Sequence, residues 1–254
     1  MEMTTVFGLL LGIGGILLGN LIEGGHLASL VQGAAAVIVL SGTAGATIVS
    51  SRKRDLSLAW NLTKQAFVGN DQVAQRQTAE IFSQLLECAR MARKDSILTI
   101  ETKIDSMDNR FLQNVLRAVI DGIDSKILRE IFEHEIDLEE QNLLGGARVW
   151  ADAGGFAPTV GIIGAVLGLI HVMSNLADTS KLGSGIAVAF VATVYGVGFA
   201  NLVFLPIGNK IKRKIADEMR LRQMILEGGL AIQAGLSPMM VEIKLRPFLE
   251  QDSA

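Results

Sequence analysis

The sequence predicts an all-α polytopic membrane protein with four transmembrane helices and a helical cytoplasmic domain between spans two and three. First, the 254 residues are 50% hydrophobic and 19% charged, which is too apolar for an ordinary soluble domain. Second, the charges are concentrated in residues 51–152 and 210–254. Third, apolar positions within those charged segments recur at helical spacing, and no segment shows a convincing strand alternation.

Four stretches without Asp, Glu, Lys or Arg are long enough to cross a bilayer core, which takes about 20 helical residues. They are residues 3–22, 27–50, 153–176 and 184–209. They divide the chain into a first hairpin (1–50), a cytoplasmic domain (51–152), a second hairpin (153–209) and a cytoplasmic tail (210–254).

The basic residues predict the orientation of these spans. SRKR (51–54) follows the second span and KIKRK (210–214) follows the fourth, whereas Lys181 is the one basic residue in the two short loops. Lys and Arg are enriched on the cytoplasmic side of membrane helices. We therefore expect a multi-pass protein of the bacterial inner membrane with both termini in the cytoplasm.

Small residues recur at a spacing of four within the spans. Examples are Gly8 and Gly12 in span one and Gly164 and Gly168 in span three. This spacing places them on one helix face, where two backbones can approach closely. The same pattern is expected from packing within one subunit and from packing between subunits.

The cytoplasmic domain is predicted to consist of helices at 71–94, at 109–121 and from 126 to about 150, the last continuing into span three. Ser96 is a candidate N-cap, as is Asp124 or Ser125 for the last helix. The predicted apolar rows are Val73, Ile81, Leu85, Cys88 and Met91 in the first helix and Ile127, Ile131, His134 and Leu138 in the last. Trp150 is either a membrane-interface anchor or a helix-packing residue.

The residues that carry chemistry in enzymes are sparse and scattered. Cys88 is the single cysteine, and the three histidines lie in a loop, a soluble helix and a span. Nucleotide-binding and hydrolase motifs are missing. The net charge of −3 argues against a nucleic-acid partner. We therefore expect no enzyme activity, no metal and no cofactor.

The spans contain no carboxylate, so a titrating group for ion transport would have to come from a partner. Polar residues such as Thr193, Tyr195 and Asn201 more often satisfy a backbone carbonyl in such helices. In the cytoplasmic domain, Arg90, Arg93, Lys94 and Glu101 surround a predicted helix end. These charges are interpreted either as a solvated helix terminus or as a docking surface.

The segment from Gly154 to Lys214 resembles the MotA/PomA family of flagellar motor stator subunits, within the MotA/TolQ/ExbB proton channel superfamily. The resemblance is carried by GGFAPTVGIIGAVLGLIHVMSNL and KLGSGIAVAFVATVYGVGFANLVFLPIGNKIK. It extends to GTAGATIVSS, ARKDSILTIE, VIDGIDSKILREIFEHEI and ILEGGLAIQAGLSPMMVEIKLRPFL, and so covers nearly the whole chain.

The resemblance implies a partner for the missing carboxylate. Subunits of this family surround a MotB-like dimer, five around two, and the MotB-like chain binds peptidoglycan and supplies an aspartate from its single span. Ion flow past that aspartate drives contacts with the rotor protein FliG. The family's rotor-facing charges correspond to Arg93 and Glu101, with Arg90 and Lys94 as supporting charges. Ser96 stands where the family commonly has glycine.

The resemblance also assigns roles within the second hairpin. The family's two functional prolines correspond to Pro158 and Pro206, as hinges between channel and cytoplasmic domain. The ion-pathway positions are Ala165 and Thr193, with Tyr195 beside them. Sodium-driven members have threonine where Ala165 stands, so the resemblance favours protons over sodium.

Three alternatives are weighed against this interpretation. An ExbB- or TolQ-like proton-channel subunit, energising outer-membrane processes, is expected to lack the first hairpin. A scaffold or defence-system stator of the same superfamily is the second. An autonomous channel or transporter would need its own coupling charge within the spans.

Overall fold

The computed structural model describes residues 3–68, 71–176 and 179–250 of the protein. No strand is present among them, and the all-α prediction is confirmed. Four stretches are long and apolar enough to cross a membrane: Thr5–Ile22, Leu27–Ser50, Ser125–Ser174 and Leu182–Gln233. The helices, in chain order, are α1 (Met3–Ile22), α2 (Gly33–Ser50), α3 (Lys53–Val68), α4 (Asp71–Lys94), α5 (Glu101–Ile104), α6 (Arg110–Ile120), α7 (Ser125–Ser174), α8 (Thr179–Phe199), α9 (Leu205–Gln233) and α10 (Pro238–Glu250).

Two features of the spans differ from the sequence prediction. The second span begins with a 3-10 turn at Leu27–Leu30, and α2 starts only at Gly33. The fourth span contains a π-helical segment, Ala200–Phe204, between α8 and α9. A π segment carries an extra residue per turn, so it can accommodate the missing N–H and the bulky ring of Pro206 two residues beyond it. The predicted loop at 177–183 lies partly outside the described residues.

The chain divides into two compact units. The first unit comprises residues 1–69 and 143–213, and the second comprises 70–142 and 214–254. One boundary lies between α3 and α4, and the other two fall inside α7 and α9. The amphipathic helix α3, which follows the first hairpin, is grouped with the apolar helices.

In the first unit, α2 packs along α8, with Ala35, Val39, Val191 and Ala192 buried between them. A Cβ added to Gly42 would lie 2.7 Å from Val160, so α2 also approaches α7 closely. A Cβ on Gly12 of α1 would lie 3.1 Å from Leu202, whereas Gly8, Gly15 and Gly19 face open space. Among the described residues, the small-residue row of α1 therefore has no packing partner over most of its length.

In the second unit, α4 and α10 enclose the buried end of α9. Leu85 and Leu245 are fully buried, and a Cβ on Gly228 would lie within 3.3 Å of both. Phe111 of α6 and Phe132 of α7 form an edge-to-face pair with ring centroids 5.5 Å apart. These contacts give the unit an apolar core of its own.

The helix predicted from 126 to about 150 is confirmed as the first half of α7, which continues unbroken to Ser174. Asp124 caps it, because its Oδ1 accepts a hydrogen bond from the Lys126 N–H at 2.9 Å. The predicted apolar row is wrong, however. Ile127, Ile131 and Leu138 are 48–53% exposed and His134 is also exposed, while the buried row is Leu128, Phe132 and Ile136.

Packing corrects one other expectation and favours one of the two alternatives left open for Trp150. Val73 of α4 is 59% exposed, while Ile81, Leu85 and Cys88 are buried as predicted. The ring of Trp150 packs 6.1 Å from that of Phe204, centroid to centroid. Its Cβ lies 3.3 Å from where a Gly208 Cβ would be. Trp150 therefore serves as a helix-packing residue between α7 and α9.

Candidate functional site

The second hairpin brings α7 and α8 together at the level of their backbones. A Cβ on Gly196 would lie 2.5 Å from the carbonyl oxygen of Ala157 and 3.0 Å from the Cα of Gly161. Another on Gly168 would lie 2.8 Å from the backbone nitrogen of Ala189. Small residues spaced by four permit such an approach between helices. The glycines of span three are thus explained mainly by packing within one chain.

Two predicted ion-pathway residues lie next to this close approach. The Cα of Thr193 lies 3.4 Å from where a Cβ added to Gly161 would be. The Cβ of the neighbouring Ala192 lies 2.7 Å from where a Cβ added to Gly164 would be. Ala165 follows Gly164 directly. Both Ala165 and Thr193 are half-buried in the single chain. The Thr193 hydroxyl donates to the Ala189 carbonyl at 3.5 Å, which is long for a hydrogen bond and leaves it weakly held.

The hydroxyl of Tyr195 has a definite structural partner. It donates a hydrogen bond to the Leu30 carbonyl oxygen at 2.6 Å and accepts one from the Gln32 N–H at 3.3 Å. Tyr195 therefore ties α8 to the start of α2. The sequence suggested the hydroxyl's preference for backbone groups but not this partner, because 165 residues separate the pair.

The two predicted hinge prolines lie inside long helices. Pro158 is within α7, and Pro206 is the second residue of α9, directly after the π segment. One turn beyond Pro206, Lys210 donates to the Thr5 hydroxyl at 2.5 Å and lies 5.5 Å from the Phe67 ring centroid. The helix is therefore distorted just before Pro206 and anchored to α1 and α3 just after it.

The predicted rotor-facing residues lie at a corner of the second unit. Arg90, Arg93 and Lys94 are exposed on the last two turns of α4, and Glu101 is exposed at the start of α5. Between them, a 3-10 turn at Ile97–Ile100 is capped by Ser96, whose hydroxyl accepts from the Leu98 N–H at 3.4 Å. The N-cap predicted at Ser96 is confirmed, although it caps a 3-10 turn.

Apolar, ionic and hydrogen-bonding contacts hold this corner, residues 90–101, against the rest of the second unit. Ile100 and Ile104 are almost fully buried, and Lys103 forms an ion pair with Glu87 of α4. The Arg93 guanidinium donates to the Gly235 carbonyl oxygen at 3.2 Å. Within the described residues, no ion pair is recorded for Arg90, Lys94 or Glu101. These three charges are accordingly presented to solvent on a buried base.

A partly exposed ion cluster, centred on the half-buried Glu227, lies in the same unit. Glu227 of α9 accepts from Arg129 at 2.7 Å and pairs with Lys244 at 2.6 Å, and Arg129 also bonds Glu133. Burial acts to raise the pKa of the Glu227 carboxyl, but the hydrogen bonds from Arg129 and Lys244 outweigh it and lower that pKa overall. The hydrogen bond to Glu227 is the main cause that raises the pKa of Arg129. Sequence reasoning missed this cluster, because its members come from three helices.

The fold and its close-packed hairpin can be compared with known proteins. A family model described as the MotA/TolQ/ExbB proton channel family matches residues 103–224. Motility protein A of Bacillus subtilis is 32% identical over 249 residues, which cover 98% of this chain and 91% of that relative.

The chain belongs to the MotA/TolQ/ExbB proton channel family.

Two solved structures of the family agree along the whole chain. The C. jejuni MotAB structure matches with a TM-score of 0.88 and 30% identity, covering 98% of this chain and 96% of that one. The flagellar MotAB stator complex from Bacillus subtilis matches with a TM-score of 0.85 and 31% identity, covering 98% of both chains. The chain is thus a stator-type ion-channel subunit of a channel family, not a member of an enzyme family.

The extent of these matches decides between branches of the MotA/TolQ/ExbB family. The family model matches residues 103–224 and so does not include the first hairpin. The match to motility protein A covers 98% of this chain and does include it. Because an ExbB- or TolQ-like chain is expected to lack that hairpin, the motility branch is favoured. All the predicted site residues from Pro158 to Pro206 and from Arg90 to Glu101 lie within the full-length match.

Proposed function

We propose that this chain is the proton-driven stator subunit of a bacterial flagellar motor. It forms a channel in the inner membrane with a MotB-like, peptidoglycan-bound partner, and both of its termini lie in the cytoplasm. The observation that carries the proposal is the combination of four spans without a carboxylate and full-length similarity to motility protein A. The partner's single span supplies the missing acid.

The uncharged second hairpin forms the wall of the ion path in this proposal. Ala165, Thr193 and Tyr195 line it, and five copies surround two MotB-like chains. The methyl group of Ala165 offers no oxygen to a hard cation such as sodium, which prefers oxygen ligands. The transported ion is therefore the proton, carried by the partner's carboxyl group.

Force is delivered through the charged corner. Each proton crossing 100 mV releases about 2.3 kcal/mol, so work is obtained without a covalent intermediate and without an enzymatic step. Pro158 and Pro206 absorb the change in helix geometry, since each lacks the backbone donor that would stiffen its helix. Arg90, Arg93, Lys94 and Glu101 then act on charged groups of the rotor protein FliG.

The division of labour between the two chains can be tested by co-expression. Cytoplasmic acidification is measured in cells expressing this chain alone, this chain with its MotB-like partner, and both with the partner's aspartate changed to asparagine. We expect flux only in the second case. Flux from this chain alone would contradict the proposal. Rotation that persists without sodium and stops with a protonophore supports protons, whereas dependence on sodium would contradict the assignment of Ala165.

A further inference from the structure

We propose that the exposed face of α3 is a binding surface for anionic phospholipid headgroups, centred on Trp60 and Lys64. The surface comprises Lys53, Ser57, Trp60, Asn61 and Lys64, and the adjoining basic residues Arg52 and Arg54 extend it. It shares no residue with the predicted ion path or with the charged corner.

The position of α3 places it beside the headgroup layer. Only two residues separate its first residue, Lys53, from the end of α2 at Ser50. It crosses α7 at Gly146, where an added Cβ would lie 3.0 Å from Leu62 and 3.1 Å from the backbone nitrogen of Ala59. Gly146 precedes the predicted start of span three by about seven residues, or roughly 10 Å of helix. Long side chains at that level reach the polar layer that flanks the hydrocarbon core.

The exposed residues of α3 lie on one face. Positions 53, 57, 60, 61 and 64 follow the spacing of four, seven, eight and eleven that aligns residues along a helix. On the other side, Ala59 and Ala66 are 3% and 1% exposed, packed within the first unit. Trp60 is 60% exposed, a large apolar surface left uncovered in the single chain. A tryptophan in this position is typical of a membrane-interface anchor.

The charges around Trp60 have one sign. The Lys64 ammonium lies 5.5 Å from the Trp60 ring centroid, in cation–π geometry. The one acid of α3, Asp55, is directed at α7, since its Oδ1 would lie 2.9 Å from a Gly145 Cβ. The exposed face therefore presents lysine ammonium groups without a competing carboxylate. An aromatic ring with flanking cations at headgroup depth fits a lipid phosphate with a net negative headgroup.

The test uses the full chain, with its MotB-like partner, in vesicles of phosphatidylcholine containing a minority of phosphatidylglycerol. One lipid at a time carries brominated acyl chains, at equal mole fraction, and tryptophan fluorescence quenching is recorded. The Trp60 contribution is the difference between the wild type and Trp60→Phe, because Trp150, the other tryptophan of this chain, and any tryptophan of the partner contribute equally to both samples. We expect brominated phosphatidylglycerol to quench Trp60 several-fold more effectively than brominated phosphatidylcholine.

Matched variants identify the residues responsible. Each of Lys53→Gln and Lys64→Gln is expected to reduce the preference for the anionic lipid about fivefold. Lys126→Gln, an exposed lysine of the second unit, should leave it unchanged. Raising the salt from 0.1 M to 1 M shortens the screening length from about 10 Å to about 3 Å and should also reduce the preference.

Three outcomes would overturn the proposal. Equal quenching by both lipids would mean that α3 touches the bilayer without selecting anionic headgroups. A preference that survives when Lys53→Gln and Lys64→Gln are combined in one chain would place the selecting charges elsewhere. Protection of Trp60 from both lipids would mean that another protein or a second copy of this chain covers the face. The proposed stator function stands in all three cases, because ion flux and rotation are measured independently.

Discussion

Arg93 at the end of α4 donates a hydrogen bond to the carbonyl oxygen of Gly235 at 3.2 Å, although 142 residues separate them in the chain. Gly235 follows the end of α9 with φ of +67° and closes it through its N–H, which bonds the Ile232 carbonyl. A cation near a helix C-terminus is electrostatically favourable. Arg93, which is predicted to face the rotor, is thus held by the turn between α9 and α10.

Reversing the exposed charges should impair rotation while leaving the complex intact. Arg93→Glu and Glu101→Lys invert the sign presented to the rotor, and both side chains are exposed, so their replacement disturbs no core. Tethered-cell rotation should fall strongly, with ion flux and co-purification of the MotB-like partner largely unchanged. Arg76→Glu, an exposed reversal on the same helix, is the control. Loss of membrane assembly in either variant would indicate a structural role instead.

Gly235→Ala should lower stability and weaken the positioning of Arg93. A side chain at φ of +67° costs about 1 kcal/mol, so the melting temperature of the purified complex should fall by a few degrees. Gly155→Ala, where an added Cβ meets nothing within 4 Å, should leave it unchanged or slightly higher. In a double-mutant cycle with Arg93→Gln, the effects on rotation speed should be non-additive. Additive effects would show that the turn and the arginine act separately.

Gly196→Ala should disrupt the channel hairpin. The new Cβ would lie 2.5 Å from the Ala157 carbonyl oxygen. Because this oxygen belongs to the backbone, the clash is relieved only if α7 and α8 move apart, which should destabilise the hairpin by about 1–3 kcal/mol. We expect reduced amounts of assembled complex and reduced proton flux, both measured in membranes. Gly198→Ala makes the same change two residues away, in open space, and should be tolerated. If the two variants gave equal amounts of assembled complex and equal proton flux, contact between the backbones would not be what restricts position 196 to glycine.

Tyr195→Phe removes the hydroxyl that joins α8 to the start of α2. The Leu30 carbonyl and the Gln32 N–H lose a partner, which should cost about 1–2 kcal/mol. The expected result is a lower melting temperature of the complex with unchanged preference for protons. A changed ion preference without a change in stability would mean that the hydroxyl acts on the ion itself and not as a link between α8 and α2.

The Glu227 cluster predicts how stability depends on pH. Because the pKa of this carboxyl is lowered in the folded protein, its contribution is fully present above the usual value of 4.5 and is lost as the pH falls through the folded-state pKa. Glu227→Gln should therefore lower the melting temperature at pH 7, and the gap to the wild type should narrow below about pH 4.5. Glu242→Gln removes an exposed pair with Arg246 and should show a much smaller effect. A gap independent of pH would exclude ionisation of Glu227 as the cause.

The spans were predictable because hydropathy decides them. Stretches of about 20 residues without a charge leave few alternatives to membrane helices. The orientation expected from the basic flanks stays a prediction. The ends of the spans were harder to predict from the sequence. The 3-10 turn at Leu27–Leu30 and the π segment at Ala200–Phe204 have no pattern of their own, since both arise from how neighbouring helices pack.

The buried face of α7 shows why a correct helix can be given the wrong orientation. The segment 127–138 contains two apolar rows, one through Ile127 and Ile131 and the other through Leu128 and Phe132. Both satisfy helical spacing, and the tertiary partner selects between them. The hydrogen bond from Arg93 to Gly235 likewise could not be predicted, because local spacing carries no information about residues so distant in the chain. The roles assigned to the charged corner, the prolines and the ion-pathway residues remain predictions.

The contact between Gly161 and Gly196 has an evolutionary consequence. Two backbones touch there, so at this point the separation of the helices is set by glycine and not by a side chain. We therefore expect substitutions at Ala165, a predicted ion-pathway position, to change the chemistry of that path more than the spacing of α7 and α8. On this prediction, the driving ion changes through single substitutions of that kind while Gly161 and Gly196 keep the two backbones together.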